Sequence, residues 1–294
     1  MEKFKMYFVK LILPIALTTL SLGSCIENQD LMTSNVRTGG ILDASELVQF
    51  KPSAANQDDS IYLSVYQGPP VVAVKVFKRY VHMADNSATP EMLLDNIVLN
   101  GANGTDTFYV TKIYSWDELK QGYSKLGNGI DDFPPDAASA DVGDYFALKY
   151  VSVMDNGFES LNRSTTKILV ANSYAGFYTS HITYFHPTLG GAYPDKPYIN
   201  TYTQKQLITL SVTTCTMNFA LWGSYGESMD ITINPDNSVV FNIVGFDYIV
   251  NEGDPYNPAY HSYYDPTNST IHLYYYWEGV GGYRVIWETL SPNI

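Results

Sequence analysis

The chain has 294 residues, 45% of them hydrophobic, and 17 basic against 30 acidic side chains give a net charge of −13. A normal apolar fraction excludes intrinsic disorder, two cysteines exclude a disulfide-stapled scaffold, and the shortage of Lys and Arg excludes a duplex nucleic-acid binder. The length fits one large domain or two average ones, and the 25 tyrosines are the compositional oddity.

Residues 1–24 read as a secretory signal. Lys3, Lys5 and Lys10 form a positive n-region, and Leu11–Leu22 is an apolar stretch interrupted by Pro14. That stretch falls short of the roughly 20 apolar residues a spanning helix needs. Leu22-Gly23-Ser24-Cys25 resembles a bacterial lipobox, which implies lipidation of Cys25 as the mature N-terminus. Several acyl chains at ~0.8 kcal/mol per buried CH₂ make a stable anchor, so the membrane is an expected partner. Glu27 and Asp30 follow the cysteine and resemble the surface-export signal of Bacteroidota lipoproteins. The expected place is the outer membrane, lipid-anchored, at the cell surface, with the periplasmic face as the alternative. Cleavage would remove three lysines and one glutamate and leave a net charge of −15.

Residues 25–45 read as the lipidated cysteine followed by a polar, flexible stalk. An Ig-like or fibronectin-like sandwich is expected over 46–172. Ile61–Val65, the alternation of Val72, Val74 and Val76, and Thr105–Tyr114 read as strands. Ser115-Trp116-Asp117-Glu118 fits a capping box opening a helix that should run to about Lys125. Pro90–Leu99 is open between helix and strand, with strand favoured for Asn96–Leu99. Asp144–Met154 places Phe146, Leu148 and Tyr150 on one face and ends at the turn Asp155-Asn156-Gly157. Ser164–Ala171 is a further strand, and short strands with regular turns suit a sandwich.

Residues 173–294 read as a second all-β module, an antiparallel barrel of lipocalin-like type or a sandwich. Strands are expected at Gly176–Phe185, Gln206–Val212, Thr216–Trp222, Met229–Ile233, Ser238–Val244, Ala259–Tyr264, Ile271–Trp277 and Tyr283–Leu290. Asp230–Phe241 is a hairpin around Asn234-Pro235-Asp236-Asn237.

Catalytic signatures are lacking. The chain has no G-x-S-x-G, H-E-x-x-H, P-loop or Rossmann glycine pattern. His82, His181, His186, His261 and His272 have no Cys or carboxylate company at zinc spacing, so no metal, cofactor or catalytic residue is assigned. Cys215 sits in an apolar run and reads as a small buried hydrophobe.

The aromatics carry more. Residues 173–294 hold 16 tyrosines, 5 phenylalanines and 3 tryptophans. In Ile271–Trp277, period two puts Ile271, Leu273, Tyr275 and Trp277 on the core face, and His272, Tyr274 and Tyr276 on the other. Three rings ~7 Å apart along a strand make a platform for the apolar faces of sugars. Tyr283, Arg284 and Trp287 on the next strand, and Tyr263 before it, complete the candidate carbohydrate site.

Cys25, Thr38-Gly39-Gly40, Tyr174-Ala175-Gly176-Phe177-Tyr178, Asn234-Pro235-Asp236-Asn237, Tyr263-Tyr264-Asp265-Pro266 and Trp287-Glu288-Thr289-Leu290 together carry a likeness. In their order along nearly the whole chain, they resemble the SusE-like accessory lipoproteins found near SusC/SusD-type outer-membrane glycan importers of Bacteroidota. The resemblance implies a non-catalytic surface protein that assists glycan capture beside a SusC/SusD-type porin–lipoprotein complex. The alternatives are a structural subunit of an outer-membrane complex and a lipocalin-like carrier of a small apolar ligand.

Overall fold

Alternating apolar residues and frequent turns build an almost wholly β protein. A computed structural model describes residues 40–51, 60–66, 70–100, 106–221 and 226–293. The signal segment, Cys25, most of the stalk and Trp222 lie outside the described residues.

The N-terminal part contains β1 (Leu42–Ala44), β2 (Leu47–Phe50), β3 (Ile61–Val65), β4 (Val71–His82), β5 (Ser87–Ala88), β6 (Met92–Val98), β7 (Phe108–Lys112), β8 (Tyr145–Met154) and β9 (Glu159–Val170). One sheet has the order β1-β3-β7, and the other has β2-β9-β8-β4, with β5 and β6 both on β4. All these pairs are antiparallel except β2 with β9. Period two explains the core between the sheets. Val74, Val76 and Tyr80 of β4 and Phe146, Leu148 and Tyr150 of β8 meet Leu42, Ile61, Leu63 and Val65 in one buried cluster. β1 falls inside the segment expected to be stalk. Leu42 is buried, and its N–H donates to Asn162 Oδ1 at 3.0 Å. Three residues are too few for alternation to show.

The helix α1 (Trp116–Lys120) opens with the expected capping box: Ser115 accepts from Glu118 N, and Glu118 Oε2 accepts from Ser115 N at 2.7 Å. It ends five residues earlier than expected. Gln121 leaves helical backbone, with ψ 127, and Gly122 follows at φ 90. The cause lies on β4. Lys78 is buried at 2% exposure, and its ammonium donates to the carbonyls of Glu118, Leu119 and Gln121 at 2.7–2.8 Å. Those oxygens have no partner within the helix.

The C-terminal part contains β10 (Gly176–Phe185), β11 (Ile199–Thr209), β12 (Thr214–Asn218), β13 (Ser228–Ile233), β14 (Val239–Val244), β15 (Asn251–Glu252), β16 (Tyr263–Asp265), β17 (Thr270–Gly279) and β18 (Gly282–Pro292). Their order is β14-β13-β12-β11-β10-β18-β17-β15, with β16 also on β17, all antiparallel. A bridge between Ser238 and Tyr263, with Val239 N donating to Ser262 O at 3.1 Å, brings β14 against β16. Eight strands therefore curl into a nearly closed barrel. The expected hairpin is present, with Ile231 opposite Phe241 and Asn237 at φ 67 in its turn.

Side chains fill the barrel. Ile271, Leu273, Tyr275 and Trp277 point inward as period two requires, and pack with Phe219, Met229, Ile182, Ile286 and Leu290. Cys215 is buried among them, and its thiol donates to Asn172 Oδ1. A buried ion pair shares this interior. Lys205 Nζ lies 2.5 Å from Glu288 Oε1, with both side chains at most 2% exposed. Ser180 Oγ and Tyr275 OH donate to the same carboxylate at 2.7 and 2.8 Å.

Two amides join the halves. Gln49 Nε2 donates to Leu207 O at 2.8 Å, and Gln49 Oε1 accepts from Thr209 N at 2.9 Å, so the side chain pairs with β11 as a peptide unit would. Asn172, buried in the connection, donates to Ser211 O and Thr214 O and accepts from Tyr174 N and Ala175 N.

Candidate functional site

The outward residues of β10, β11, β17 and β18 form one sheet face, and cross-strand register sorts them into rows. Tyr202 lies opposite His181, His181 opposite Thr289, Thr289 opposite His272, and His272 opposite Tyr263. This row crosses five strands, about 19 Å at 4.7–4.9 Å per strand. Two stacked ring pairs flank Thr289. His181 stacks on Tyr202 at 4.4 Å and 12°, and His272 on Tyr263 at 4.5 Å and 16°. Asn200 Oδ1 lies 2.6 Å from His181 Nε2, and Thr289 Oγ1 lies 3.3 Å from His272 Nδ1. Burial lowers the His272 pKa below the usual imidazole value, against the opposing pull of the Asp265 carboxylate, so the ring is neutral at pH 7.

The next row pairs Tyr274 with Trp287. Both are half-covered by a strap from the loop before β16. Tyr260 stacks on Tyr274 at 5.0 Å and 19°, and also packs on Trp287. Asp254, buried, ties the strap down. It accepts from Tyr193 OH, from Trp287 Nε1 at 2.9 Å and from Tyr256 N at 2.9 Å. Tyr276 and Tyr283 form an edge pair at 5.3 Å beyond this row.

The expected site residues thus fall into three groups. His272 and Tyr263 belong to the open row. Tyr274 and Trp287 share the face but give ring surface to Tyr260, and Tyr276 and Tyr283 lie toward its far end. Arg284 is a correction: it pairs opposite Trp277, an inward residue, and so lies on the other face from Tyr283 and Trp287. Period two already forbids 283 and 284 from sharing a face. His181, Tyr202 and Thr289 are the members that sequence reasoning missed. Alternation marks His181 as outward, but only register brings it beside Thr289.

No protein-family model matches this chain, and no curated protein sequence matches it.

Charge completes the face. Outward positions 177–185 of β10, 200–206 of β11, 272–276 of β17 and 283–291 of β18 carry rings, hydroxyls, amides and Val285, but no Lys or Arg, and the carboxylates of this face stand at its margins, Glu278 opposite Tyr283 and Asp265 opposite Thr270. Beyond Thr289, Gln204 Nε2 donates to Thr179 Oγ1, Thr179 Oγ1 to Asn293 Oδ1, and Asn293 Nδ2 to Gln204 Oε1. This polar patch leads to a cleft of about 640 Å³ between the two halves, lined by Phe177, Gln206, Asn293, Gln49, Lys51 and Tyr62 among others.

Among the described residues, one group is compact enough to hold a cation: His82, Asp141 and Asp144, with ligand atoms within 4.8 Å of one another. Asp144 is already satisfied by the protein. It accepts from Tyr80 OH at 2.7 Å and Met83 N at 2.8 Å and faces His82 Nδ1 at 2.9 Å. That arrangement fixes the end of β4 against the β8 entry.

Proposed function

We propose that the protein is a lipid-anchored, non-catalytic cell-envelope component that binds carbohydrate on the outward face of β10, β11, β17 and β18. It acts as an accessory to outer-membrane glycan uptake. In this reading the N-terminal half is an Ig-like spacer, since the order β2-β9-β8-β4 with a parallel first pair, opposite β1-β3-β7, suits that sandwich. The C-terminal half is a lipocalin-like barrel whose interior is occupied by its own side chains, which leaves the outside for a ligand.

The observation that carries the reading is the ring- and hydroxyl-bearing stretch of this face, free of charged side chains between Glu278 and Asp265, on a chain of net charge −13. Sugars offer apolar C–H faces to rings and hydroxyls to Thr, Asn and Gln, and desolvate no ion on binding. Affinity electrophoresis in gels containing a soluble glucan, a mannan, a xylan or polygalacturonate tests it. Retardation by at least one polysaccharide, weakened by Tyr263→Ala and Tyr202→Ala, is expected. Unchanged mobility in every gel would overturn the reading.

A second reading, a subunit of a SusC/SusD-type complex, is favoured by the barrel end remote from the N-terminal half. There the loops carry Leu189, Tyr248, Ile249 and Val280, the last 93% exposed. A stoichiometric porin partner in pull-downs, without glycan binding, would favour it.

A further inference from the structure

We propose that the notch over Thr289, between the rings of His181 and His272, receives a single uncharged six-membered sugar ring. The inference rests on the carbohydrate reading and adds to it a defined subsite with a polarity.

Width comes first. His181 and His272 both pair with Thr289, so they stand two strand spacings apart, about 9.5 Å. A ring between them would sit about 4.7 Å from each, inside the 4.5–7 Å range of stacked ring centroids. Each histidine has its outer face taken by a tyrosine, at 4.4 and 4.5 Å, which holds the ring upright and leaves the inner face toward the notch. The side chain between them is a threonine, small enough to form a floor, with a hydroxyl at its centre.

Chemistry comes second. The walls and floor carry two imidazoles and a hydroxyl, and the neighbours along the strands are Thr179, Thr183 and Ser291. All are suited to sugar hydroxyls. An acidic sugar would meet no Lys or Arg at these outward positions and would be repelled by the net charge of −13. The subsite therefore selects neutral residues.

Direction comes third. Outward residues of β18 run Trp287, Thr289, Ser291, and Asn293 follows the strand. At the Trp287 end, Tyr260 and Tyr193 pack over the indole and close the path. At the other end, Ser291 and Asn293 lead to the cleft lined by Phe177 and Gln206. A chain whose end ring occupies the notch continues along β18 toward that cleft.

The test compares the intact protein with Thr289→Trp, which fills the notch, and His181→Ala, which removes one wall. Tyr109→Ala, an exposed tyrosine of β7 away from the proposed binding face, is the control. Gels contain the neutral polysaccharides above or polygalacturonate, and circular dichroism checks each fold. Neutral-polysaccharide affinity should fall about tenfold or more in both notch variants, the equivalent of one lost stacking contact, and stay unchanged in the control. Chemical shifts of the His181 and His272 rings in the unaltered protein should move on adding a neutral oligosaccharide, which keeps the inference testable should a variant fail to fold. Binding by the intact protein that survives both substitutions, or that moves neither histidine, overturns the notch while the carbohydrate reading stands. Tighter binding to polygalacturonate than to neutral chains overturns the selectivity. No binding by the intact protein overturns both.

Discussion

Lys205→Met should destabilise the barrel sharply, and the structure sets the scale. The Lys205–Glu288 pair is sealed inside a side-chain-filled interior at 2.5 Å. Its gross attraction is about 7 kcal/mol at an effective dielectric of about 20. Desolvating two ions costs several kcal/mol each, so the intact pair contributes little net stability. Removing the lysine strands a carboxylate in an apolar interior, at a cost of about 3–5 kcal/mol. Ser180 and Tyr275 still donate to Glu288, which keeps the loss toward the lower end. Burial, with the carboxylate beside it, pushes the Tyr275 phenol far above its usual pKa, so it stays a donor. Adding Glu288→Gln to Lys205→Met removes the stranded charge and should recover about 1–3 kcal/mol. Urea denaturation followed by tryptophan fluorescence is the assay, since Trp222, Trp277 and Trp287 all lie in this half. A loss below about 1 kcal/mol in the single variant, the scale of an ordinary substitution, would refute the argument. So would a double variant no more stable than the single.

Other expectations follow from single contacts. Asp144 raises the His82 pKa above its ordinary 6.5 chiefly through their hydrogen bond, so this contribution is complete below pH 6.5 and is lost as pH rises through the folded value. The melting temperature should carry that slope, and a His82→Ala variant with the same slope would refute it. Burial pushes the Cys215 thiol up to about 11, so a thiol reagent should label it only after unfolding; rapid native labelling would contradict this. Lys78→Met leaves three carbonyls without their shared donor and should cost about 2–4 kcal/mol by denaturation. Asp254→Ala should free the strap, seen as red-shifted Trp287 emission and faster proteolysis between residues 253 and 262; neither change would mean the strap is held by ring packing alone.

The two parts differ in how much the sequence revealed. Strands with strict alternation, such as Gly176–Phe185 and Ile271–Trp277, appear at their expected places, and so do the inward and outward faces of β17. What alternation cannot carry is partnership over distance. Lys78 sits in a strand pattern like any exposed lysine, and only the fold brings α1 carbonyls some 40 residues away to its ammonium. Lys205 and Glu288 are 83 residues apart and meet only because β10 lies between β11 and β18. The candidate site repeats the lesson. His272 and Tyr263 were visible one strand at a time, whereas the row through Thr289 to His181 and Tyr202 exists only in register. The platform expected at Tyr274 is partly occupied because a loop without periodicity lays Tyr260 across it.

The way Gln49 and Asn172 bind β11 and its neighbours has a mechanical consequence. A linker that left the halves independent would let each tumble at its own rate. Here a side-chain amide takes the place of a strand and a saturated asparagine fixes the connection, so the whole body reorients as one particle. The outward face of β10, β11, β17 and β18 therefore keeps one distance and one angle to the β1-β3-β7 sheet.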